Sequence, residues 1–487
     1  MAVKVRIFQL TPGLNLYAVI STCFLALILS SCNEQIPAHH ASLRQLSGQL
    51  DSIGNLFLET GEVLGFSIAV LSEGDTLYAK GFGYADPAKS IPVDDKTIFN
   101  IASVTKPHTA AIALKLEEEG KLNLESYLLD YFPDFPSIPG AHKIKLKHLL
   151  SHTSGLPDYI EFMDSVFLVT RVDPVIDDYF SFLTGKSLLF EPGTNFSYSN
   201  TGFVLITHII ERVSGEDYSE LIQRVIAHAT GSGSLNLQKF NQNKSSYSPL
   251  FTRTDSGFVT SLMNELTYIQ GDGGLSTTAL ELAHFPPALV LGKVVGSRSM
   301  DKMQTGFILD KKMMSDYGLG LRMGWFEGEK IIGHTGGGMS FISTLGYFPE
   351  RKISIAVLVN SEGGQEDALS IFGPVALVSL GKGTPDLAKL ENSLVNPQYY
   401  VGNYSRPEDK ESVVSIVVYP GDSRLYRKRN GSNTRGEALI YLGNHSFAPE
   451  HYPMDRMEFM VDGNGSALAI KDYYNGFFLN LRMRKDD

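Results

Sequence analysis

Ser103-Val104-Thr105-Lys106-Pro107-His108-Thr109-Ala110-Ala111-Ile112-Ala113-Leu114-Lys115-Leu116 is the stretch around which the rest of the chain can be organised. From Ala110 to Leu116 it is apolar nearly all round, and Gly120 follows, which is the pattern of a buried helix with a glycine stop. Pro107 fits only the first turn of such a helix, where backbone N–H groups lack intrahelical partners. The helix therefore starts close to Ser103, and Lys106, three residues on, shares its face. A serine hydroxyl is a weak nucleophile until a base takes its proton. A lysine drawn out of water can be that base, and the helix N-terminus favours a developing oxyanion. Taken alone, the pair also fits an N-cap serine beside a solvated lysine.

Outward from this helix the pattern is first β, then helical, then β again. Phe66 to Leu71 and Thr76 to Ala79 flank Ser72-Glu73-Gly74-Asp75, a hairpin signal. Val204 to Val213 and Tyr218 to Ile226 have helical periodicity broken at Ser214-Gly215. Phe341 to Phe348 and Ile353 to Asn360 flank a second turn, Pro349 to Lys352. Early and late strands are expected to pair in one antiparallel sheet, with the helices covering it and forming a second lobe, an α+β arrangement with a site in the cleft. Residues 398–487 are rich in Tyr, Phe, Val, Asn and Gly in short alternating runs such as Val413 to Tyr419, and are expected to form a small all-β domain, a barrel or a sandwich. A linker, 383–397, precedes it.

Two more segments carry chemistry. Tyr198-Ser199-Asn200 follows the turn Glu191-Pro192-Gly193; Tyr198 could relay a proton beside a lysine, and Asn200 offers both donor and acceptor. His334-Thr335-Gly336-Gly337-Gly338 follows the apolar Ile331-Ile332, and its glycines let a substrate carbonyl approach closely. Each fits an ordinary loop when taken singly. Together and in this order, Ser-x-x-Lys, Tyr-x-Asn and His-Thr-Gly resemble the three-part signature of the serine β-lactamase-related superfamily, which joins penicillin-binding proteins, class C β-lactamases, family VIII esterases and D-amino-acid peptidases. Gly81 to Asp86, Phe99 to Lys106, His148 to Pro157, Gly271 to Thr277 and Tyr317 to Gly320 are similar to recurring segments of that family. The likeness covers roughly residues 45 to 380, with the hydrolase domain placed at 46–382.

The resemblance implies a β-lactamase/transpeptidase-like fold and an acyl-enzyme on Ser103. Lys106 and Tyr198 would share the proton work, the N–H groups of Ser103 and Gly337 would form the oxyanion hole, Asn200 would position the substrate, and His334, Thr335 and Gly336 would line the strand side. No cofactor or metal is implied. The typical β-lactamase or carboxypeptidase carries lysine where this chain has His334, and an unperturbed histidine is mostly neutral at pH 7. That departure favours esters or small peptides, D-amino-acid peptides among them, over β-lactams or a D-Ala-D-Ala carboxypeptidase role. The competing reading from another class is a non-catalytic lipoprotein that captures peptides or peptidoglycan fragments.

The chain has 487 residues, a net charge of −11 and two cysteines. The acidic balance argues against nucleic-acid partners. With Cys23 and Cys32 the only cysteines, thiolate chemistry and disulfides are excluded beyond residue 32. Lys4 and Arg6 precede an apolar run, Leu16 to Leu29, that is short for a membrane span but suits a signal peptide. It ends in Leu29-Ser30-Ser31-Cys32, which resembles a bacterial lipoprotein signal. Residues 1–32 are thus expected to be a leader, Cys32 the lipidated residue and 33–45 a tether, placing the protein outside the cytoplasm on a membrane it does not cross. The sequence says nothing of oligomeric state.

Overall fold

The computed structural model describes residues 38–160, 162, 165, 175–237, 246–261, 270–309, 315–337, 342–362, 368–382, 396–405, 413–421, 424–429, 436–443, 445–449, 456–474 and 477–485. Cys32 and the leader lie outside the described residues. The chain divides into a short unit, Met1–Gly48, and the body, Gln49–Asp487. Helix α1, Ala38–Glu59, starts immediately after Pro37 in the sequence. Residues 38–45, read as tether, are therefore helical: the sequence there holds no proline or glycine, and a polar composition alone does not prevent a helix.

The body is built on one seven-stranded sheet. Its strands are β1 (Gly65–Ser72), β2 (Asp75–Asp86), β3 (Ile91–Pro92), β4 (Arg322–Phe326), β5 (Glu329–Gly336), β6 (Ile342–Phe348) and β7 (Ile353–Val359). They lie in the order β3-β2-β1-β7-β6-β5-β4, antiparallel throughout. Early and late strands meet at β1 and β7, in the register Phe66↔Val359 to Ser72↔Ile353. One edge strand ends in Pro92, whose missing N–H is harmless there.

The near-continuous apolar runs of β1 and β7 follow from burial on both faces. Helix α2 (Thr105–Glu118), the short α3 (Leu146–Leu150), α4 (Asn200–Ser214) and α5 (Ala279–Val290) share one large core with Leu345, Ala356 and Leu358 of the sheet. The Ser354 hydroxyl reaches α5 at the Ala283 carbonyl, 2.6 Å away. On the opposite face, Phe372 of α6 (Ala368–Ser379) presses on the backbone of Gly346, which pairs with Ile355. α4 ends where expected, with Gly215 at φ 74° supplying the left-handed cap. The continuation from Tyr218 departs from a plain helix in a π-helical stretch, Ile222–Ala227.

From Gly402 to Arg484 the chain forms a closed eight-stranded barrel, which decides between barrel and sandwich. Tyr400, Tyr404, Phe447 and Phe459 pack ring against ring inside it, filling an interior that eight strands leave just wide enough for side chains. The last barrel strand, Phe477–Arg484, runs alongside edge strand β4. At the β4–β5 turn Glu327 is bonded by Arg456 of the barrel, its carbonyl takes the Lys382 ammonium, and Glu329 meets Lys382 at 3.2 Å and Arg351 at 3.8 Å. This turn is an ionic clasp between barrel, sheet and the end of α6.

Candidate active site

The short strand Phe99–Asn100 turns into α2 through a single 3₁₀ turn, Ala102–Val104. Ala102 is held at φ 44°, a left-handed conformation unfavourable for a residue with a Cβ. The Asn100 side chain holds it there by accepting the Ala102 N–H at 2.7 Å. The Ile101 N–H donates to the Leu275 carbonyl at 2.9 Å, and the Ile101 carbonyl accepts the Ser343 hydroxyl at 2.7 Å. Ser103 thus sits on a strained turn pinned from two sides.

Lys106, in the first turn of α2, is fully buried. Its Nζ lies 2.9 Å from Ser103 Oγ, 2.7 Å from Asn200 Oδ1 and 2.6 Å from the Asp272 carbonyl. It also stands 5.0 Å from the Tyr198 ring centre and 5.5 Å from that of Phe203. All three hydrogen-bond partners are uncharged. A neutral amine donates its two protons to Asn200 and Asp272, which leaves its lone pair directed at the serine; once protonated it still has three acceptors.

Asn200 is aimed by Asp158, which accepts the Asn200 N–H at 3.2 Å and its Nδ2 at 2.9 Å. Burial pushes the Asp158 carboxyl above the usual range. Asp272 is buried as well, and its Oδ2 accepts the Tyr159 hydroxyl at 2.5 Å. Burial raises its carboxyl, with Lys106 opposing.

The Tyr-x-Asn segment rests on His152, whose backbone carbonyl accepts the Ser197 N–H at 3.0 Å and whose Nδ1 accepts the Ser199 N–H at 3.1 Å. The imidazole lies 4.1 Å from the Tyr198 ring at 30°. On the strand side, Thr335 is half-buried and Gly337 exposed, with open space where a Gly337 Cβ would stand. At Gly336 a Cβ would fall 2.2 Å from Ser343 Oγ and 2.6 Å from the Ile101 carbonyl, so only glycine lets β5 pass the serine's turn.

His334 departs from the expected arrangement. It is 1% exposed, and both ring nitrogens are spent: Nδ1 meets the Thr335 carbonyl at 2.6 Å and Nε2 the Tyr317 hydroxyl at 2.8 Å. A carbonyl can only accept, so Nδ1 carries a proton; in the neutral ring that is the only one, and the tyrosine donates to Nε2. Burial, then Arg322 and Lys106, hold its pKa well below the ordinary value. The imidazole therefore props Tyr317 rather than lining the cleft. The nearby cation on this side is Arg322 of β4: its guanidinium is 5.7 Å from the Tyr317 ring centre, 3.7 Å from Asp316, and its buried Nε has no partner among the described residues.

The structure thus brings together Ser103, Lys106, Tyr198, Asn200 and the His334–Gly337 strand. Asp158 and Arg322 were not singled out from sequence, and Asp272 and Tyr317 entered only as members of the segments Gly271 to Thr277 and Tyr317 to Gly320, with no role assigned. The available signal was polar residues set in apolar or glycine-rich stretches, at Pro157-Asp158-Tyr159, Gly271-Asp272-Gly273 and Leu321-Arg322-Met323.

A buried lysine facing a serine on a strained turn, beside a Tyr-x-Asn segment and a glycine-rich strand, defines the class of serine hydrolases with a β-lactamase/transpeptidase-like fold. The Beta-lactamase family model matches residues 51–378, and the chain belongs to this family of serine hydrolases. It is 30% identical over 350 residues to Penicillin-binding protein 4* of Bacillus subtilis (strain 168), covering 67% of this chain and 75% of that protein. Among solved structures, the octameric penicillin-binding protein homologue from Pyrococcus abyssi superposes with TM-score 0.62 at 26% identity, over 90% of this chain and 99% of that one. A D-amino acid amidase from Ochrobactrum anthropi SV3 has the same fold, with TM-score 0.60 at 22% identity over 69% and 99% of the two chains.

Proposed function

We propose that this chain hydrolyses small peptides, amides or esters through an acyl-enzyme on Ser103. The observation that carries this reading is the placement of Lys106 Nζ, 2.9 Å from Ser103 Oγ with two fixed neutral acceptors behind it. In the reaction, neutral Lys106 takes the serine proton as Oγ bonds to the substrate carbonyl carbon. The oxyanion is met by the N–H groups of Ser103 and Gly337, and the leaving amine or alcohol departs with a proton passed by way of Tyr198. Water then attacks the ester, returning the acid product and a protonated serine. Arg322 favours substrates with a carboxylate beside the scissile bond, a role the sequence alone had withdrawn when His334 was found in place of lysine. A carboxypeptidase-like substrate, a peptide with a free C-terminal carboxylate, is thereby supported beside simple esters.

Export and lipid anchoring through Cys32 belong to the same proposal. They rest on the leader pattern and are tested by acyl labelling of the wild-type chain against Cys32→Ser. The enzymatic test is p-nitrophenyl butyrate hydrolysis by protein starting after Cys32, beside Ser103→Ala, with mass spectrometry of Ser103 after a fluorophosphonate. Turnover and label lost together in Ser103→Ala are expected. A wild-type chain that neither turns over nor labels would support the binding-protein reading instead.

A further inference from the structure

We infer that His152 is a positioning residue for Tyr198, an inference that rests on the reading of Ser103 and Lys106 as the reacting pair. One residue makes three contacts with three successive residues of the Tyr-x-Asn approach. Its carbonyl takes the Ser197 N–H, its ring lies against Tyr198 at 4.1 Å, and its Nδ1 takes the Ser199 N–H at 3.1 Å. The segment bearing Tyr198 is otherwise a loop between the turn at Gly193 and the start of α4, with no strand partner among the described residues.

The geometry makes the imidazole a fixed part. An N–H can only donate, so Nδ1 is an acceptor and the single ring proton sits on Nε2. Protonating Nδ1 would break the Ser199 bond. The ring is 1% exposed among Phe196, Phe203 and Tyr317, with centroids 5.8, 5.3 and 4.7 Å away, and Nε2 has no hydrogen-bond partner among the described residues. A buried N–H without an acceptor is a cost the fold carries. His152 is also held at φ 56°, a conformation that histidine and asparagine tolerate better than most residues. Orphaned donor, left-handed backbone and aromatic cage converge on a residue that touches no substrate, and the beneficiary is the orientation of the Tyr198 ring over Lys106 Nζ.

The test compares His152→Asn, which keeps an acceptor at the place of Nδ1 and suits the backbone, with His152→Phe, which keeps a ring and loses the acceptor. Each is made in the wild-type and Tyr198→Phe backgrounds and checked by near-UV circular dichroism and melting. The readouts are the rate of fluorophosphonate labelling of Ser103 and the kcat and KM for p-nitrophenyl butyrate. His152→Phe is expected to lower labelling and kcat by at least about tenfold with KM unchanged, and His152→Asn to stay within about threefold of wild type. In the Tyr198→Phe background the His152→Phe loss should disappear, because the residue acts through the ring already altered. An equal loss in both backgrounds, or a folded His152→Asn as slow as His152→Phe, overturns the inference. Unchanged turnover in Ser103→Ala would instead overturn the reading on which it rests.

Discussion

His108 stands two residues beyond Lys106 on the same helix, and replacing it tests whether the buried histidines set the acid limit of the site. The ring is 1% exposed, lies 3.8 Å from Phe285 with 21° between the planes, and its Nδ1 meets the Val104 carbonyl at 2.9 Å. Burial lowers its pKa from 6.5 to about 4, with the Val104 bond opposing. Because the folded pKa lies below the unfolded one, the neutral ring contributes stability that is fully present above pH 6.5 and is lost as pH falls toward 4. A shift of that size weakens folding by about 2 kcal/mol between pH 7 and pH 5, and by about 3 kcal/mol at pH 4. His108→Leu keeps the volume and removes the titration; losing the Val104 bond costs about 1 kcal/mol at pH 7. Urea unfolding at pH 7 and pH 5 should therefore show the variant the weaker protein at pH 7 and the stronger one at pH 5. Equal losses of stability in the two proteins over that interval would refute the argument, since every other buried histidine is common to both.

Lys106→Met should fold and leave Ser103 about 10²- to 10⁴-fold slower in labelling by a fluorophosphonate, the range expected for loss of a proton acceptor; wild-type labelling would remove Lys106 from that role. Arg322→Gln should raise KM for a carboxylate-bearing amide at least about tenfold while sparing p-nitrophenyl butyrate, as loss of a charged hydrogen bond predicts; equal losses on both substrates would point to a structural effect. Tyr159→Phe leaves the buried Asp272 carboxyl without its hydroxyl donor and should destabilise the fold by about 1–3 kcal/mol. The Asp272 pKa is already raised, so its contribution is present at low pH and lost as pH rises through the folded value. The donor favours the ionised form, so the variant's deficit should widen toward neutral pH in melting curves; a deficit independent of pH would show that the carboxyl does not ionise there.

Much of this arrangement is legible in the amino-acid sequence, and the reason is local. The Ser103–Lys106 face, the Gly120 stop and the hairpins around Gly74 and Pro349 are consequences of short-range periodicity and turn chemistry. What was not legible depends on tertiary contacts and strand register rather than on local pattern. Asp272 meets Lys106 through its backbone carbonyl, which no side-chain motif records. Arg322 is set beside Tyr317 by the pairing of β4 with β5, in the register that puts it opposite Gly333. His334 was assigned to the cleft on motif grounds, yet the hydroxyl of Tyr317 draws its ring inward. The polar stretch after Pro37 looked like tether because composition reports solubility, not backbone conformation.

The barrel's position against β4 changes how the protein should be cut for study. A seven-stranded open sheet has two ends. One is closed off by a proline-bearing strand, while the other, carrying the half-exposed Trp325, has the barrel's last strand running alongside it. Removing residues 398–487 would not simply subtract a module. It would uncover a row of main-chain donors and acceptors ready to recruit another chain and unfasten the clasp at Glu327 on the hairpin that carries Arg322. A truncated enzyme that precipitates or changes its substrate preference would thus be reporting an unprotected sheet margin, and a fair dissection would leave the barrel in place and loosen it at Arg456.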